Sequence, residues 1–424
     1  MAVIESESWV VSPFVRTVRA QAAVVLARRL RTGEATRVES GDLVVLVDAL
    51  RSTIIIVTAR DHAALARLRR APAGVGAFAS AEPAAFARLR AADLFLTERE
   101  ALSRHAFRSV EIEINRHCNF RCSFCPVEVA PKPKAFMSPD LFTHVLGRVA
   151  EYGARSVSLN HYSEPTLDPD LIARIREAAQ FGLSVRLFTN ASLFTEEKIR
   201  QLAELGNTRV VVNLPTLDQA EYERVTGTKL FHRVLANLEL LHRHGIRTEL
   251  SVNVPRGIAD ETVRAINDRL AGWFGEAVRW ATDSRGGLLA KPEYVTEVHH
   301  LGRLSGCAIA LGDLNVSHEG KAFLCCQDFD QRYELGDLRT QSIREIADGE
   351  RAVAIRRMLL GLADPEPNLI CTRCAWTQPL REGPARLFVG SEDKVGARAQ
   401  ADLLRNAPIT WADIERPAVE EVVS

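Results

Sequence analysis

The stretch HCNFRCSFCP, residues 117–126, decides how the rest of the chain is read. It places Cys118, Cys122 and Cys125 in a C-x3-C-x2-C spacing. Thiolates held this close suit one shared inorganic centre, either zinc or an iron–sulfur cluster. A structural zinc site closes on four protein ligands. His117 is the nearest candidate for the fourth, but it adjoins Cys118 directly and would need an awkward geometry. A [4Fe–4S] cluster held by only three cysteines leaves one iron open, and an open iron can bind and activate a small molecule. Spacing alone leaves zinc, or a loop without metal, as the alternative.

Working outward, the loop follows the β-rich run SVEIEIN (109–115). Five more such runs come after it: SVSLNHY (156–162), SVRLFTN (184–190), TRVVVNL (208–214), TELSVNV (248–254) and AVRWAT (277–282). Helical patterns lie between them, over 139–153, 170–182, 196–206, 232–245 and 261–275, with glycines where a helix C-cap would want one. Strand and helix alternating at this rhythm predict βα units on a parallel sheet. Six strands with five intervening helices suit a partial (β/α)6 TIM barrel over 109–282, with its chemistry at the C-terminal ends of the strands.

The flanks differ from this core. Residues 1–108 are rich in Ala and Arg. DLVVLVDAL and STIIIVTA read as two strands, HAALARLRR and PAAFARLRAA as helices, and DLFLTERE as a last strand. Together they predict a small α+β domain with no cysteine. Residues 283–384 lose the βα rhythm and hold the other five cysteines, with a hairpin-like LNVSHEGKAFLCCQDF (314–329) and one helix over 342–360. Residues 385–424 read as a C-terminal tail. The 424 residues balance 54 basic against 54 acidic side chains. That balance gives no support to nucleic acid or an anionic membrane as the main partner. The start shows no secretory pattern, and the run Leu43–Leu50 is too short to span a bilayer. The chain is therefore read as cytoplasmic, where clustered cysteines more often bind metal than form disulfides.

The C-x3-C-x-Φ-C pattern, with Phe124 as Φ, after the first strand of a βα series resembles the radical S-adenosylmethionine (SAM) superfamily. That resemblance implies a [4Fe–4S] cluster on Cys118, Cys122 and Cys125 whose open iron chelates the amino and carboxylate groups of SAM. It implies reductive cleavage to a 5′-deoxyadenosyl radical that abstracts a substrate hydrogen, with the electron from a flavodoxin- or ferredoxin-type donor. Ser163-Glu164-Pro165 is similar to the family's Gly-Gly-Glu-Pro loop, whose acidic residue and backbone receive the methionine amino group, which makes Glu164 the expected cofactor contact; Tyr162 stands where a glycine is usual. Thr189-Asn190 matches its Thr-Asn-Gly turn, with Ala191 in place of the glycine. Asn213 stands where the family has a ribose- or carboxylate-contacting Ser, and Ser251 and Asn253 are further ribose or substrate candidates. Each is otherwise an ordinary strand-end polar residue.

Cys307, Cys325, Cys371 and Cys374 form a second set of four, and Gly320 precedes Cys325 in a G-x4-C spacing. They resemble the twitch/SPASM extension of the same superfamily, which implies one auxiliary [4Fe–4S] cluster; a zinc knuckle is the alternative. Cys326 adjoins Cys325, so either could be the ligand. A spare Cys326 thiol could donate a hydrogen atom to a substrate radical, and Asp328 or Asp330 could serve as a base. The expected substrate is a ribosomal precursor peptide to be crosslinked, oxidised or epimerised, with residues 1–108 offering a sheet edge to its leader. A sugar or aminocyclitol, dehydrogenated or epimerised, is the second reading. A non-catalytic iron–sulfur or zinc protein is the third.

Overall fold

The structure is a computed structural model. It describes residues 8–13, 15–17, 43–48, 53–105, 107, 109–270, 272–274, 278–279, 284–295, 297–377 and 409–411.

The N-terminal region is built on strands β1 (Trp9–Val11), β2 (Val15–Thr17), β3 (Leu43–Asp48), β4 (Thr53–Thr58) and β5 (Phe95–Thr97). β3 and β4 form the expected antiparallel hairpin, with Leu43 opposite Thr58 and Asp48 opposite Thr53. Ile55 and Val57 point into a core with Leu65, Val75, Phe78, Phe86 and Phe95. The helices Ala59–Arg70, Val75–Ala81 and Pro83–Ala91 close over that core. Thr58 caps the first of them through the Asp61 amide, and Pro83 stands at the first turn of the third, where a missing N–H costs nothing.

The barrel strands follow: β6 (Ser109–Ile112), β7 (Ser156–Leu159), β8 (Ser184–Thr189), β9 (Thr208–Asn213), β10 (Thr248–Val252) and β11 (Val278–Arg279). All are parallel and pair in chain order, which is the partial barrel the sequence predicts. Val110, Val157, Val185, Val210 and Leu250 lie under the helices with Phe142, Ile175, Ile199, Leu238 and Ile266 in one core. Intervening residues such as Glu111, Ser158 and Arg186 share the opposite face, because side chains alternate along a strand. Helix ends follow the predicted chemistry: Gly153, Gly206 and Gly227 take the left-handed conformation at C-caps.

Three features were not foreseen. β12 (Asp313–Val316) pairs in parallel with β6, and β13 (Lys321–Phe323) and β14 (Glu334–Asp337) continue from it. The C-terminal region thus extends the barrel sheet to nine strands. The helix expected over 342–360 is two helices, Ile343–Asp348 and Glu350–Leu359, because Gly349 takes an extended conformation between them. In addition, β15 (Ile409–Trp411) runs parallel along β4 and so occupies one edge of the N-terminal sheet. Tail residues 385–408 and 412–424 lie outside the described residues. No helix among the described residues is long and apolar enough to cross a membrane.

Glu113, just past β6, ties the barrel to the C-terminal extension. It is fully buried and meets Lys132 at 2.9 Å, Gln331 at 2.9 Å and the His318 backbone amide at 3.3 Å. Burial works against its charge. The His318 side chain, His161, Lys132 and Gln331 outweigh that and hold the carboxyl well below the usual range. Stability from this group is present above the ordinary Glu value near 4.3 and is lost as pH falls toward the lower folded value. Glu113→Leu, which leaves Lys132 buried without its carboxylate, is expected to destabilise the protein by about 3–5 kcal/mol. Glu113→Gln should flatten the acid limb of the stability–pH curve. Urea titrations at several pH values check both.

Candidate active site

The three-cysteine loop leaves the sheet at β6 and is clamped from two sides. Asn115 accepts from the His117 amide at 3.2 Å and donates to the Glu164 carbonyl at 3.1 Å, while the Glu164 amide donates to the His117 carbonyl at 2.9 Å. On the other side the Arg121 and Ser123 amides donate to the Thr226 and Val225 carbonyls. Gly227 makes this approach possible. Its φ is +68°, and a Cβ there would lie 3.3 Å from the Arg121 carbonyl oxygen. Phe124 packs onto Leu289, Tyr294 and Val295.

Glu164 is the pivot of the strand-end loops. Its Oε1 accepts from the Thr166 amide at 3.0 Å, the Thr166 hydroxyl at 2.5 Å and the Thr189 hydroxyl at 2.6 Å; its Oε2 accepts from the Asn190 amide at 2.7 Å. Burial still pushes its pKa up, against those bonds. Pro165 opens the short 3-10 turn that presents the Thr166 amide. Asn190 donates to Asn119 Oδ1 at 2.9 Å and reaches the Cys118 sulfur at 4.0 Å. The turn after β8 therefore touches the thiol loop directly. Ser163 Oγ is buried without a partner. At the ends of β9 and β10, Asn253 donates to Asn213 Oδ1 at 2.8 Å, and Ser251 pairs with Asn213 across the strands. All the strand-end candidates therefore sit around one rim.

The two positions where glycine was expected explain themselves. Tyr162 has φ +51° and Ala191 φ +59°, the left-handed region that favours glycine. Both carry a side chain there under constraint from their surroundings. The Tyr162 hydroxyl donates to the Cys326 carbonyl at 2.7 Å, and the Ala191 carbonyl accepts from Asn237 at 2.7 Å.

The thiols form two groups. Cys118, Cys122 and Cys125 keep part of their surface open, yet their surroundings are dense enough that desolvation pushes all three up, Cys118 to about 12. Two of them also feel a neighbouring thiol's charge, Cys118 that of Cys125 and Cys122 those of Cys125 and Cys118. Cys307, Cys325, Cys371 and Cys374 are buried. The Cys325 thiol is pushed up by burial and then by Cys326, Cys371, Cys374 and Cys307. Clustered buried thiols of this kind stay neutral in isolation and become compatible as thiolates only around a strongly cationic centre. That donor set fits iron–sulfur clusters. Among the described residues, no three His, Cys, Asp or Glu side chains are grouped as for a single metal ion.

Cys326 adjoins the second group and acts on the Cys325 thiol. Burial raises its thiol to about 12, and the charges nearest it are Glu111, Arg285 and Asp313. Asp328, expected as a base, is committed to its own turn. Its two carboxylate oxygens accept from the Arg332 amide at 2.9 Å and the Tyr333 amide at 2.8 Å. Asp330 pairs with Arg332 at the surface. Residues that sequence reasoning missed gather beside Tyr162 and Cys326. The Arg285 guanidinium lies 5.2 Å from the Tyr162 ring centre and acts on both Cys125 and Cys326. His161 Nδ1 lies 3.1 Å from Glu111. These are single polar residues in strands or loops. The only sequence signal for Glu111 and Glu113 was two acids at period two inside an apolar run.

Comparison with known proteins gives two family matches. The Radical SAM superfamily matches residues 112–270, and the SPASM iron–sulfur cluster-binding domain matches residues 307–375. A probable GTP 3′,8-cyclase of Sulfurisphaera tokodaii is 32% identical over 143 residues, 33% of this chain and 45% of that protein. The chain spans about half the length of several such curated relatives. The SAM-dependent 2-deoxy-scyllo-inosamine dehydrogenase of Niallia circulans is 22% identical over 60% of this chain and 87% of that protein. Streptococcus suis SuiB, solved bound to the precursor peptide SuiA, shares the fold over 86% of this chain and 93% of its own, at 13% identity and a TM-score of 0.50.

The Ala191 turn gives a test. Ala191→Gly relieves the left-handed strain, about 1–2 kcal/mol, but loses a buried methyl worth about 0.8 kcal/mol and loosens the unfolded chain. The net change should stay within about 1 kcal/mol of zero. Ala191→Val, branched at positive φ, should disrupt the Asn190–Asn119 contact. Iron retained per chain after anaerobic reconstitution should fall in the Val variant and hold in the Gly variant.

Proposed function

Because this chain belongs to the radical SAM superfamily and carries a C-terminal SPASM iron–sulfur domain, we propose that it abstracts a hydrogen atom from a ribosomal precursor peptide during that peptide's maturation. The observation that carries the enzymatic half is the rim: the thiol loop is locked to the Glu164 turn and to Asn190, as an open-iron cluster beside a small-molecule cofactor requires. When bound, SAM and the cluster supply one electron transfer and a hydrogen-abstracting radical. Cys118, Cys122 and Cys125 would hold that cluster. Ser163, Asn213, Ser251 and Asn253 would hydrogen-bond the methionine and ribose groups of SAM. Glu164 orders the loop backbone, its own oxygens being used on protein donors. Cys307, Cys325, Cys371 and Cys374 would hold the auxiliary cluster. A flavodoxin- or ferredoxin-type protein would deliver the electron.

The peptide half draws on the N-terminal hairpin-and-helix unit and on the SuiB likeness, which extends over most of the chain. β15 already lies along β4, so a leader peptide would either replace that strand or use the edge at β2. The second reading, dehydrogenation or epimerisation of an aminocyclitol or sugar, is favoured by the match to most of the length of the inosamine dehydrogenase.

Cysteine variants test the assignment. Cys118→Ala should abolish 5′-deoxyadenosine formation with dithionite. Cys371→Ala should lower iron from about eight to about four per chain while 5′-deoxyadenosine formation persists. If the reaction is an epimerisation, Cys326→Ala should stall product while cofactor cleavage continues. Epimer formed at the normal rate by that variant would remove the thiol from the reaction.

A further inference from the structure

Buried polar atoms without partners are rare, and a group of them marks a place built for something else. One such group lies where the barrel meets the C-terminal extension. Asn315 on β12 is 1% exposed, and neither its Oδ1 nor its Nδ2 has a hydrogen-bond partner. Gln327 is 3% exposed and its Oε1 has none; His161 is 1% exposed and its Nε2 has none.

Strand register brings these atoms to one face. Asn315 pairs with Glu111 on β6 and with Phe323 on β13, and directly paired residues point the same way. His161 sits against both of those neighbours, with Nδ1 3.1 Å from Glu111 and its ring centre 4.9 Å from that of Phe323. Gln327 joins from the loop after β13, its Nε2 3.9 Å from the Cys326 sulfur. That face is the barrel interior, shared with Ser158 and Arg186.

The chemistry of the group is one-sided. With Nδ1 3.1 Å from Glu111, Nε2 is the ring nitrogen of His161 left open to a ligand. Gln327 Oε1 and Asn315 Oδ1 are acceptors, and Asn315 Nδ2 is the unpartnered amide donor. Glu111 and Asp313 add negative charge beside Cys326, opposite in sign to Arg285. A carboxylate would meet two amide oxygens and the Glu111 charge.

We propose that Asn315, Gln327 and His161, arranged around Glu111, form a substrate subsite that takes a hydrogen-bond-donating group, a hydroxyl or an amine. The proposal rests on the radical-enzyme reading and narrows its substrate. The group belongs either to an amino-bearing polyol or to a Ser, Thr or Lys side chain of a peptide, and not to an Asp or Glu side chain. The site brings that group to the Cys326 side of the barrel, between the two thiol groups. The unmet hydrogen bonds of the free protein are the cost of selecting such a ligand over an apolar one.

The test uses the full chain, anaerobically reconstituted and supplied with SAM. 2-Deoxystreptamine forms one arm; short peptides carrying Ser, Thr or Lys form the other, with matched Asp and Glu peptides for comparison. Calorimetric binding is measured for the wild type, Asn315→Leu and Gln327→Leu, and the thermal midpoint of each protein is read without ligand. In at least one arm the wild type should bind the donor-bearing probe more tightly than any acidic peptide. Each variant should weaken that binding roughly ten- to a hundredfold. Asn315→Leu should also keep or raise the midpoint, because an unpaired buried amide is replaced by an apolar group of similar size. The arm that binds identifies the source of the group. Equal affinity in all three proteins, preference for acidic peptides, or no binding in either arm would overturn the subsite. 5′-Deoxyadenosine formation by the wild type, assayed alongside, separates that outcome from failure of the radical-enzyme reading itself.

Discussion

The buried carboxylate of Glu164 holds the reactive rim together. Four donors from Thr166, Thr189 and the Asn190 amide converge on its two oxygens. Its own backbone is bonded to Asn115 and His117, at the root of the thiol loop. One desolvated side chain therefore fixes the relative positions of three strand-end segments, those after β6, β7 and β8. Hydrogen bonds to a charged acceptor in a dry setting are stronger than neutral ones, and leaving any of the donors unmet would be costly. The strained backbone at Tyr162 and Ala191 belongs to the same arrangement. Local strain of this kind persists only where surrounding bonds over-determine the geometry, and both residues carry such bonds.

A second constraint couples the barrel to the auxiliary region. Parallel pairing of β12 with β6 makes the C-terminal hairpin a continuation of the barrel sheet. Glu113 then anchors the joint through Lys132, Gln331 and His318. The Tyr162–Cys326 bond, the Lys132–Phe329 contact and the His161–Phe323 contact cross the same seam. The second thiol group, packed with Leu304, Leu324 and Ile355, is thereby carried on the same sheet as the first. Such a support suits the proposed hydrogen abstraction, which needs reacting groups held in near-contact geometry.

Much of this was legible in the sequence. The barrel strands and helices came from apolar periodicity and terminal glycines, since each such element carries its own local signal. The cysteines came from spacing, and the hairpin at 314–329 from its turn residues. What the sequence hid was long-range. Nothing local says that Asp313–Val316 pairs with Ser109–Ile112 two hundred residues earlier, or that Ile409–Trp411 lies beside β4. Glu111, His161 and Arg285 are isolated polar residues whose roles depend on what folds against them. Asp328 shows the reverse case, a carboxylate placed suggestively beside a cysteine pair that spends both oxygens on backbone amides. The break at Gly349 had a visible signal, a glycine inside a helical pattern, but the apolar period continued across it.

The central claim is that Cys118, Cys122 and Cys125 hold a four-iron cluster with one iron open to SAM. Electron paramagnetic resonance of the anaerobically reconstituted, dithionite-reduced protein, recorded with and without SAM, tests it most directly. The account predicts that the signal of one reduced cluster changes on adding SAM and that this signal is absent in Cys122→Ala. A reduced cluster spectrum indifferent to SAM, or a protein that takes up zinc and gives no such spectrum, would contradict it.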